Sequence, residues 1–184
     1  MYYSSKFSNV CSNEHCWIEQ PPIKSINNED LSFDSIKMII EEAGKFACDE
    51  LDTINQLGDQ EGIKLENGVV RMPESFIKAY KNFVNTGWFS IIGEKKYGGQ
   101  DLPLSAVVMI NEIWHSTNMS FATNNMLTQG AVELLESHGN EKQKENYLPN
   151  LISGKWSGTM NLTEPHAGSD LSSIKTKAIE KDEK

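Results

Sequence analysis

The sequence predicts a mainly α-helical chain whose C-terminal part changes to β-strands. Apolar residues recur with helical spacing from Phe33 onward, and a proline or an asparagine stands where several of the later helices would begin. After Gly154 the spacing changes, because apolar and polar residues then alternate one by one. No internal repeat is visible. The expected fold class is therefore a helical domain followed by the first strands of a second, β domain.

The first predicted helix runs from Phe33 to about Leu57. Its apolar stripe is flanked by charged residues, as expected for an amphipathic helix, and consists of Ile36, Ile40, Ala43, Ala47, Leu51 and Ile54. Asn67-Gly68 then separates two short extended pieces. This pair is typical of a tight hairpin, since both turn positions need a positive φ.

Two prolines mark the starts of the next helices. Pro73 opens a helix that ends at Gly87 and buries three aromatic side chains, Phe76, Tyr80 and Phe83. Pro103 opens another helix, which extends towards His115 and buries Leu104, Val107, Val108 and Trp114.

Two further helices precede the change of period. One is expected over residues 120–138, with Gly139 as a left-handed C-cap. Asn140 caps the other, and Gln143 stands at the third helical position, as a capping box requires.

Strands are then predicted over residues 155–162 and 173–179. Two strands alone are marginal in water, because their outer edges stay unpaired. We therefore expect the sheet to be incomplete and the chain to end inside a second domain.

The composition is that of an ordinary globular protein. The 184 residues are 38% hydrophobic, which is enough for one sizeable core. The net charge of −9 disfavours nucleic-acid binding, because phosphate backbones require clustered Lys and Arg. The apolar runs are too short to cross a bilayer and the N-terminus lacks a signal-peptide core, so a cytoplasmic protein is expected.

Residues 160–170 carry the strongest functional signal. A predicted strand runs into Glu-Pro at 164–165, and the turn opens into Ala-Gly-Ser at 167–169. Glycine lets the backbone approach a ligand closely, and successive free amides favour a phosphate or the polar edge of a heterocycle. The residues alone are therefore compatible with a ligand loop and equally with an ordinary structural turn.

Three side chains of this loop each allow two interpretations. Glu164 is either a general base or a turn carboxylate that accepts from backbone donors. Ser169 is either a nucleophile or a ligand contact, and His166 either shuttles protons or is a surface turn residue. The second interpretation is favoured for each, because no positioning partner can be assigned from the sequence.

Other candidate sites are weaker. Cys11, His15 and Cys16 provide three potential metal ligands where a closed zinc site needs four, so solvated loop residues are favoured. An odd number of cysteines disfavours a disulfide framework. The absence of a Walker loop and of G-x-G-x-x-G disfavours phosphoryl transfer and a Rossmann nicotinamide site. Large side chains at helical spacing could line a ligand pocket but favour a core: Trp88, Met109, Trp114, Met119 and Met126.

Residues 162–170 read Leu-Thr-Glu-Pro, then His, then Ala-Gly-Ser-Asp. This segment resembles the flavin signature of the acyl-CoA dehydrogenases, and the resemblance extends along the chain from about Ile36. It is most similar to the large members of that family, which have an extra N-terminal segment. The other matching segments are Glu41–Ala47, Gly87-Trp88, Tyr97–Gln100, Leu127–Ala131 and Gly158–Asn161.

The resemblance implies FAD as cofactor, an acyl-CoA substrate and electron-transfer flavoprotein as a partner. Ser169 would also contact the acyl-CoA. Asn161 and Asp101 depart from the family pattern, which usually has a small residue and a glycine there. The flavin contacts would fall on Met160, Leu162, Thr163, Gly168 and Ser169.

The resemblance also implies domain boundaries. Residues 1–32 would be a poorly matched extension, residues 33–153 the helical N-terminal domain, and residues 154–184 the start of the middle β-domain. The family's catalytic base belongs to a C-terminal helical domain, so no catalytic residue is expected here and the chain alone is expected to be inactive. The alternatives are half of a split enzyme with a separately encoded C-terminal half, a helical interaction module or remnant, and an independent flavin-binding protein.

Overall fold

Helices dominate the part of the chain that the computed structural model describes, residues 31–179. In chain order the elements are α1 (Phe33–Phe46), α2 (Asp52–Glu61), β1 (Lys64–Glu66), β2 (Val69–Arg71), α3 (Glu74–Asn85), α4 (Leu104–Thr117), α5 (Met119–His138) and α6 (Glu141–Ile152). A π-helical turn at Ala47–Leu51 joins α1 directly to α2. The predicted helix over 33–57 is therefore confirmed, with a π-turn in its middle. Within residues 31–179, no helix is long and apolar enough to span a membrane.

The small hairpin between α2 and α3 is also confirmed. β1 and β2 pair antiparallel, with Leu65 opposite Val70. Asn67 and Gly68 both have positive φ, 53° and 76°, as the predicted turn requires. The strands are exposed on both faces, so the hairpin lies on the surface of the helical domain.

The junction between α5 and α6 confirms one prediction and corrects another. Asn140 and Gln143 form the expected capping box, since each side chain accepts from the other's backbone amide at 2.9 Å. Gly139, however, has φ −70° and ψ 146°, so the left-handed C-cap is wrong. Glycine is required there for space, because a Cβ would lie 2.5 Å from the Leu135 carbonyl oxygen.

An aromatic cluster forms the centre of the core. The Phe83 ring lies 4.7 Å from Trp114 and 5.4 Å from Phe121, centroid to centroid, and Trp88 lies 5.6 Å from Trp114. Such edge-to-face pairs hold α3, α4 and α5 together beyond simple apolar burial. Core positions are thus confirmed for Trp88 and Trp114.

The methionines divide between the core and the surface. Met109 packs partly buried against the aromatic core, as predicted. Met119 and Met126 are 61% and 47% exposed, so the core interpretation is wrong for them. The predicted burial of Leu104 and Val108 on α4 is also wrong, because these side chains are 75% and 57% exposed. Helical spacing places a residue on a stripe, but it does not show whether a neighbouring element covers that stripe.

The predicted strands over 155–162 and 173–179 are absent from the described residues. Backbone pairing of the β type in residues 155–179 is limited to one isolated bridge, between Glu164 and Ala167. An extended segment needs a neighbouring strand for its backbone hydrogen bonds, and residues 31–179 supply none here. The alternating pattern therefore remains without a sheet. Cys11, His15 and Cys16 lie outside the described residues.

Candidate functional site

The approach to the candidate site is set by contacts with α3 and α5. The Tyr80 hydroxyl donates to the Gly154 carbonyl oxygen at 2.7 Å, and burial raises the pKa of Tyr80, so the donor proton is retained. Farther along, the Gly158 amide donates to Thr128 Oγ1 at 3.1 Å. A Cβ at Gly158 would lie 2.6 Å from the Ala131 Cβ, so only glycine allows this crossing. These contacts fix the direction in which the chain enters residues 160–170.

Residues 160–163 present their side chains outward. Met160 is 60% exposed and Leu162 is 44% exposed, and Thr163 also lies on the surface. The other described residues thus leave about half of each apolar side chain uncovered. A short apolar strip therefore ends in a threonine next to the turn.

A tight turn at 164–167 brings two of the predicted site residues together. The Glu164 amide donates to the Ala167 carbonyl oxygen at 3.2 Å, and the Ala167 amide returns a bond of 3.0 Å. Ala167 is 1% exposed and anchors the turn. A Cβ built on Gly168 would lie 3.9 Å from Thr163 Cγ2, so these residues are neighbours across the turn.

The backbone amides that follow the turn are unengaged. Among the described residues, the amides of Gly168 and Ser169 make no hydrogen bond. Both residues are exposed. Two successive free N–H groups beside a glycine form the kind of backbone donor set that binds anionic oxygens.

The Glu164 carboxylate accepts hydrogen bonds from the far end of the loop. The Lys175 amide donates to Oε2 at 3.0 Å, and the Thr176 amide donates to Oε1 at 2.9 Å. The Thr176 hydroxyl, with the two amides, holds the pKa of Glu164 below its usual range. The turn-carboxylate interpretation is confirmed. A carboxylate with a lowered pKa and both oxygens engaged is a poor general base.

His166 has a carboxylate partner that the sequence analysis missed. Its Nε2 lies 3.1 Å from the Ser173 carbonyl oxygen and 3.3 Å from Glu164 Oε2. Because the Ser173 oxygen only accepts, Nε2 carries the proton in this geometry. The only sequence signal for this contact was a glutamate two residues before a histidine, across a proline turn.

Asp170 organises the next turn and was given no role from the sequence. Its carboxylate accepts from the Ser172 amide at 3.1 Å and from the Ser173 hydroxyl at 2.7 Å. The Ser172 hydroxyl, followed by these donors, lowers the pKa of Asp170. The carboxylate thereby caps a 3₁₀ turn over Leu171–Ser173.

A polar seam between α4 and α5 was also missed. Asn111 Nδ2 donates to Gln129 Oε1 at 3.1 Å, and His115 Nδ1 donates to the Asn111 carbonyl oxygen at 2.8 Å. Asn125 is 2% exposed, and neither its amide nitrogen nor its amide oxygen has a partner. His115 Nε2 and Gln129 Nε2 are likewise buried without partners. The seam is adjacent to Thr128, which contacts the candidate site.

Comparison with known proteins shows which protein family the chain belongs to. Residues 34–155 match the family described as acyl-CoA dehydrogenase, N-terminal domain. The chain therefore belongs to the acyl-CoA dehydrogenase family, and the resemblance drawn from its motifs is confirmed. The described fold agrees, because α1 to α6 form a helical domain like the one that opens this family's structures.

Individual relatives make the comparison more specific. The chain is 40% identical over 164 residues to 3-methylmercaptopropionyl-CoA dehydrogenase of Ruegeria pomeroyi, covering 89% of this chain and 28% of that relative. It is 32% identical over 152 residues to a butyryl-CoA dehydrogenase of Syntrophomonas wolfei, covering 81% of this chain and 25% of that relative. The match thus spans about a quarter of the length of these curated relatives.

A solved structure supports the same fold. The acyl-CoA dehydrogenase of Bacillus anthracis, crystallised in complex with FAD, superposes with a TM-score of 0.65 at 26% identity. The match covers 80% of this chain and 24% of that one.

Proposed function

We propose that this chain is the N-terminal part of an FAD-dependent acyl-CoA dehydrogenase, which dehydrogenates the α and β carbons of an acyl-CoA thioester. One observation carries the proposal. The bond from the Gly158 amide to Thr128 Oγ1 connects the helical domain to a loop, and the backbone amides of Gly168 and Ser169 are free at the tip of this loop. FAD, when bound, supplies the hydride acceptor, while the protein orients the reactants.

The residues of the loop fit a flavin dinucleotide. Met160 and Leu162 offer exposed apolar surface suited to a flat ring, and Thr163 adds a hydroxyl beside it. The free amides of Gly168 and Ser169 suit anionic oxygens. Ser169 would also contact the acyl-CoA. These five residues supply one side of a pocket, so we expect the chain alone to hold FAD weakly.

The catalytic base is expected from elsewhere in the enzyme. The loop contains two carboxylates, and both are engaged: Glu164 accepts from Lys175 and Thr176, and Asp170 accepts from Ser172 and Ser173. Removal of the substrate α-proton therefore needs another carboxylate. We expect it to come from the C-terminal domain of the enzyme. We expect residues 1–184 alone to be inactive.

The surface of α4 and α5 supports a larger assembly. Exposed apolar side chains lie along these helices, namely Leu104, Val108, Met119, Met126 and Leu134. Leu104 and Val108 are four residues apart on α4 and therefore share one face, and exposed apolar side chains that share a face are typical of surface that packs against further protein. The missing cover would be the remaining domains of the enzyme, in the same polypeptide or as a separately encoded C-terminal half. Electron-transfer flavoprotein is the proposed electron acceptor, and the cytoplasm the proposed location.

A reconstitution experiment tests the proposal. The chain is assayed for dye reduction with an acyl-CoA and FAD, alone and after coexpression with the remaining domains, translated from the DNA around its coding region. We expect turnover in the combined sample and none with the chain alone. Turnover by the chain alone would show that the expected inactivity of residues 1–184 is wrong. A combined, folded sample without turnover would favour the alternative, a helical interaction module without catalysis.

A further inference from the structure

We propose that Glu164 and His166 are positioning residues that hold the loop 164–176 in its binding shape before any ligand is present. We call these two side chains the latch. The inference rests on the proposed function only in taking flavin as the ligand. It assigns Glu164 neither to proton transfer nor to flavin contact, but to presenting the amides of Gly168 and Ser169.

The first observation is the sequence span of the Glu164 contacts. Its carboxylate accepts from amides 11 and 12 residues farther along the chain, at Lys175 and Thr176. These bonds join the two ends of the loop. Within residues 31–179, Asp170, the other carboxylate of the loop, accepts from residues two and three positions ahead and from no other residue. Closure of the loop therefore depends on Glu164.

The second observation is the position of His166. Its Nε2–H points to the Ser173 carbonyl oxygen and lies near Glu164 Oε2, so the imidazole links the turn to the returning segment. His166 thus supports the same closure from inside the loop.

The third observation is the state of the tip. Ala167 is buried, whereas Gly168 and Ser169 are exposed with free backbone amides. A loop whose ends are tied loses less conformational freedom when a ligand orders it. The latch is therefore expected to strengthen ligand binding without touching the ligand.

The test uses the chain 1–184 and NMR, which reports amide exchange and weak binding of FAD in one sample. In Glu164→Ala, we expect the Lys175 and Thr176 amides to exchange about tenfold faster or more, and FAD to bind about tenfold more weakly. Glu164→Gln keeps one acceptor oxygen and is expected to restore part of both. His166→Asn is expected to have a smaller effect in the same direction.

Two controls separate the latch from general effects. Asp170→Asn removes a carboxylate from the same loop and is expected to leave the exchange of Lys175 and Thr176 unchanged. Glu61→Gln removes one charge from an exposed helical site and is expected to leave FAD affinity unchanged. Circular dichroism checks that the helical domain is intact in every variant.

The outcomes are distinct. Wild-type exchange rates in Glu164→Ala would overturn the latch. Faster exchange with unchanged FAD affinity would overturn the positioning role. A wild-type chain without any FAD-dependent shift would refute flavin binding by this chain, and with it the positioning role, whatever the exchange rates show about the latch.

Discussion

The crossing of Gly158 over α5 gives the sharpest prediction about stability. In Gly158→Ala the new Cβ would lie 2.6 Å from the Ala131 Cβ, and the backbone of Thr128 and Leu127 stands behind it at 3.2 and 3.3 Å. Ordinary carbon contacts need about 3.5–4.0 Å, so the segment must move by roughly 1 Å. Such overpacking costs about 1–3 kcal/mol.

The same movement weakens a second interaction. The Gly158 amide would lose its bond to Thr128 Oγ1, which is worth about 0.5–1.5 kcal/mol. The combined effect, about 1.5–4.5 kcal/mol, raises the undocked fraction of the segment at least tenfold. Limited proteolysis of residues 155–179 and urea unfolding by circular dichroism measure the local and the global effect.

Gly130→Ala is the matched control on the facing helix. Apart from the neighbouring residues and backbone of its own helix, no atom lies within 4 Å of a Cβ at Gly130, and replacing a helical glycine by alanine is expected to stabilise α5 by up to about 1 kcal/mol. Gly158→Ala with wild-type proteolysis and a wild-type urea midpoint would refute the steric argument.

Three further predictions concern other sites. Asn125→Leu is expected to stabilise the chain by about 1–3 kcal/mol in urea, because it replaces a buried amide without partners by an apolar group of the same shape. Asn140→Ala is expected to cost about 1 kcal/mol, since it removes the capping box of α6. The pKa of Glu164 is lowered in the folded loop, so protection of the Lys175 and Thr176 amides is expected above the ordinary glutamate pKa and lost as pH falls through the lowered one.

Each of these has a contrary result. A less stable Asn125→Leu variant would mean that the Asn125 amide has a stabilising partner. An unchanged Asn140→Ala variant would mean that the capping box contributes little. Protection factors at Lys175 and Thr176 that stay constant through acid pH would contradict the role of the Glu164 carboxylate.

Local signals predicted most of the helical domain. The helix over 33–57, the hairpin at Asn67-Gly68 and the Asn140 capping box all depend on residues a few positions apart. The interactions that form each of these elements lie within one short segment, so the sequence of that segment is enough to predict the element.

Non-local requirements account for the errors. The strands over 155–162 and 173–179 require partners that residues 31–179 do not contain. The need for glycine at Gly139 arises from the closeness of the Leu135 carbonyl oxygen rather than from a positive φ. Neither condition can be read from a hydrophobic pattern.

The candidate site divides in the same way. The motif predicted a turn at 164–165 and the turn role of Glu164. The partners of its carboxylate, Lys175 and Thr176, could not be predicted and are known only from the structure. The contact between His166 and Glu164 depends on how the turn folds back, and the seam at Asn125 depends on the register of two helices. The flavin contacts at Met160, Leu162, Thr163, Gly168 and Ser169 stay predictions.

An NMR titration of the chain 1–184 with FAD tests the central claim most directly. The account predicts saturable shifts that concentrate on residues 160–169, with the amides of Gly168 and Ser169 among the largest. Shifts confined to other surfaces, or no shifts at these residues at any FAD concentration, would contradict the assignment of this loop to the flavin.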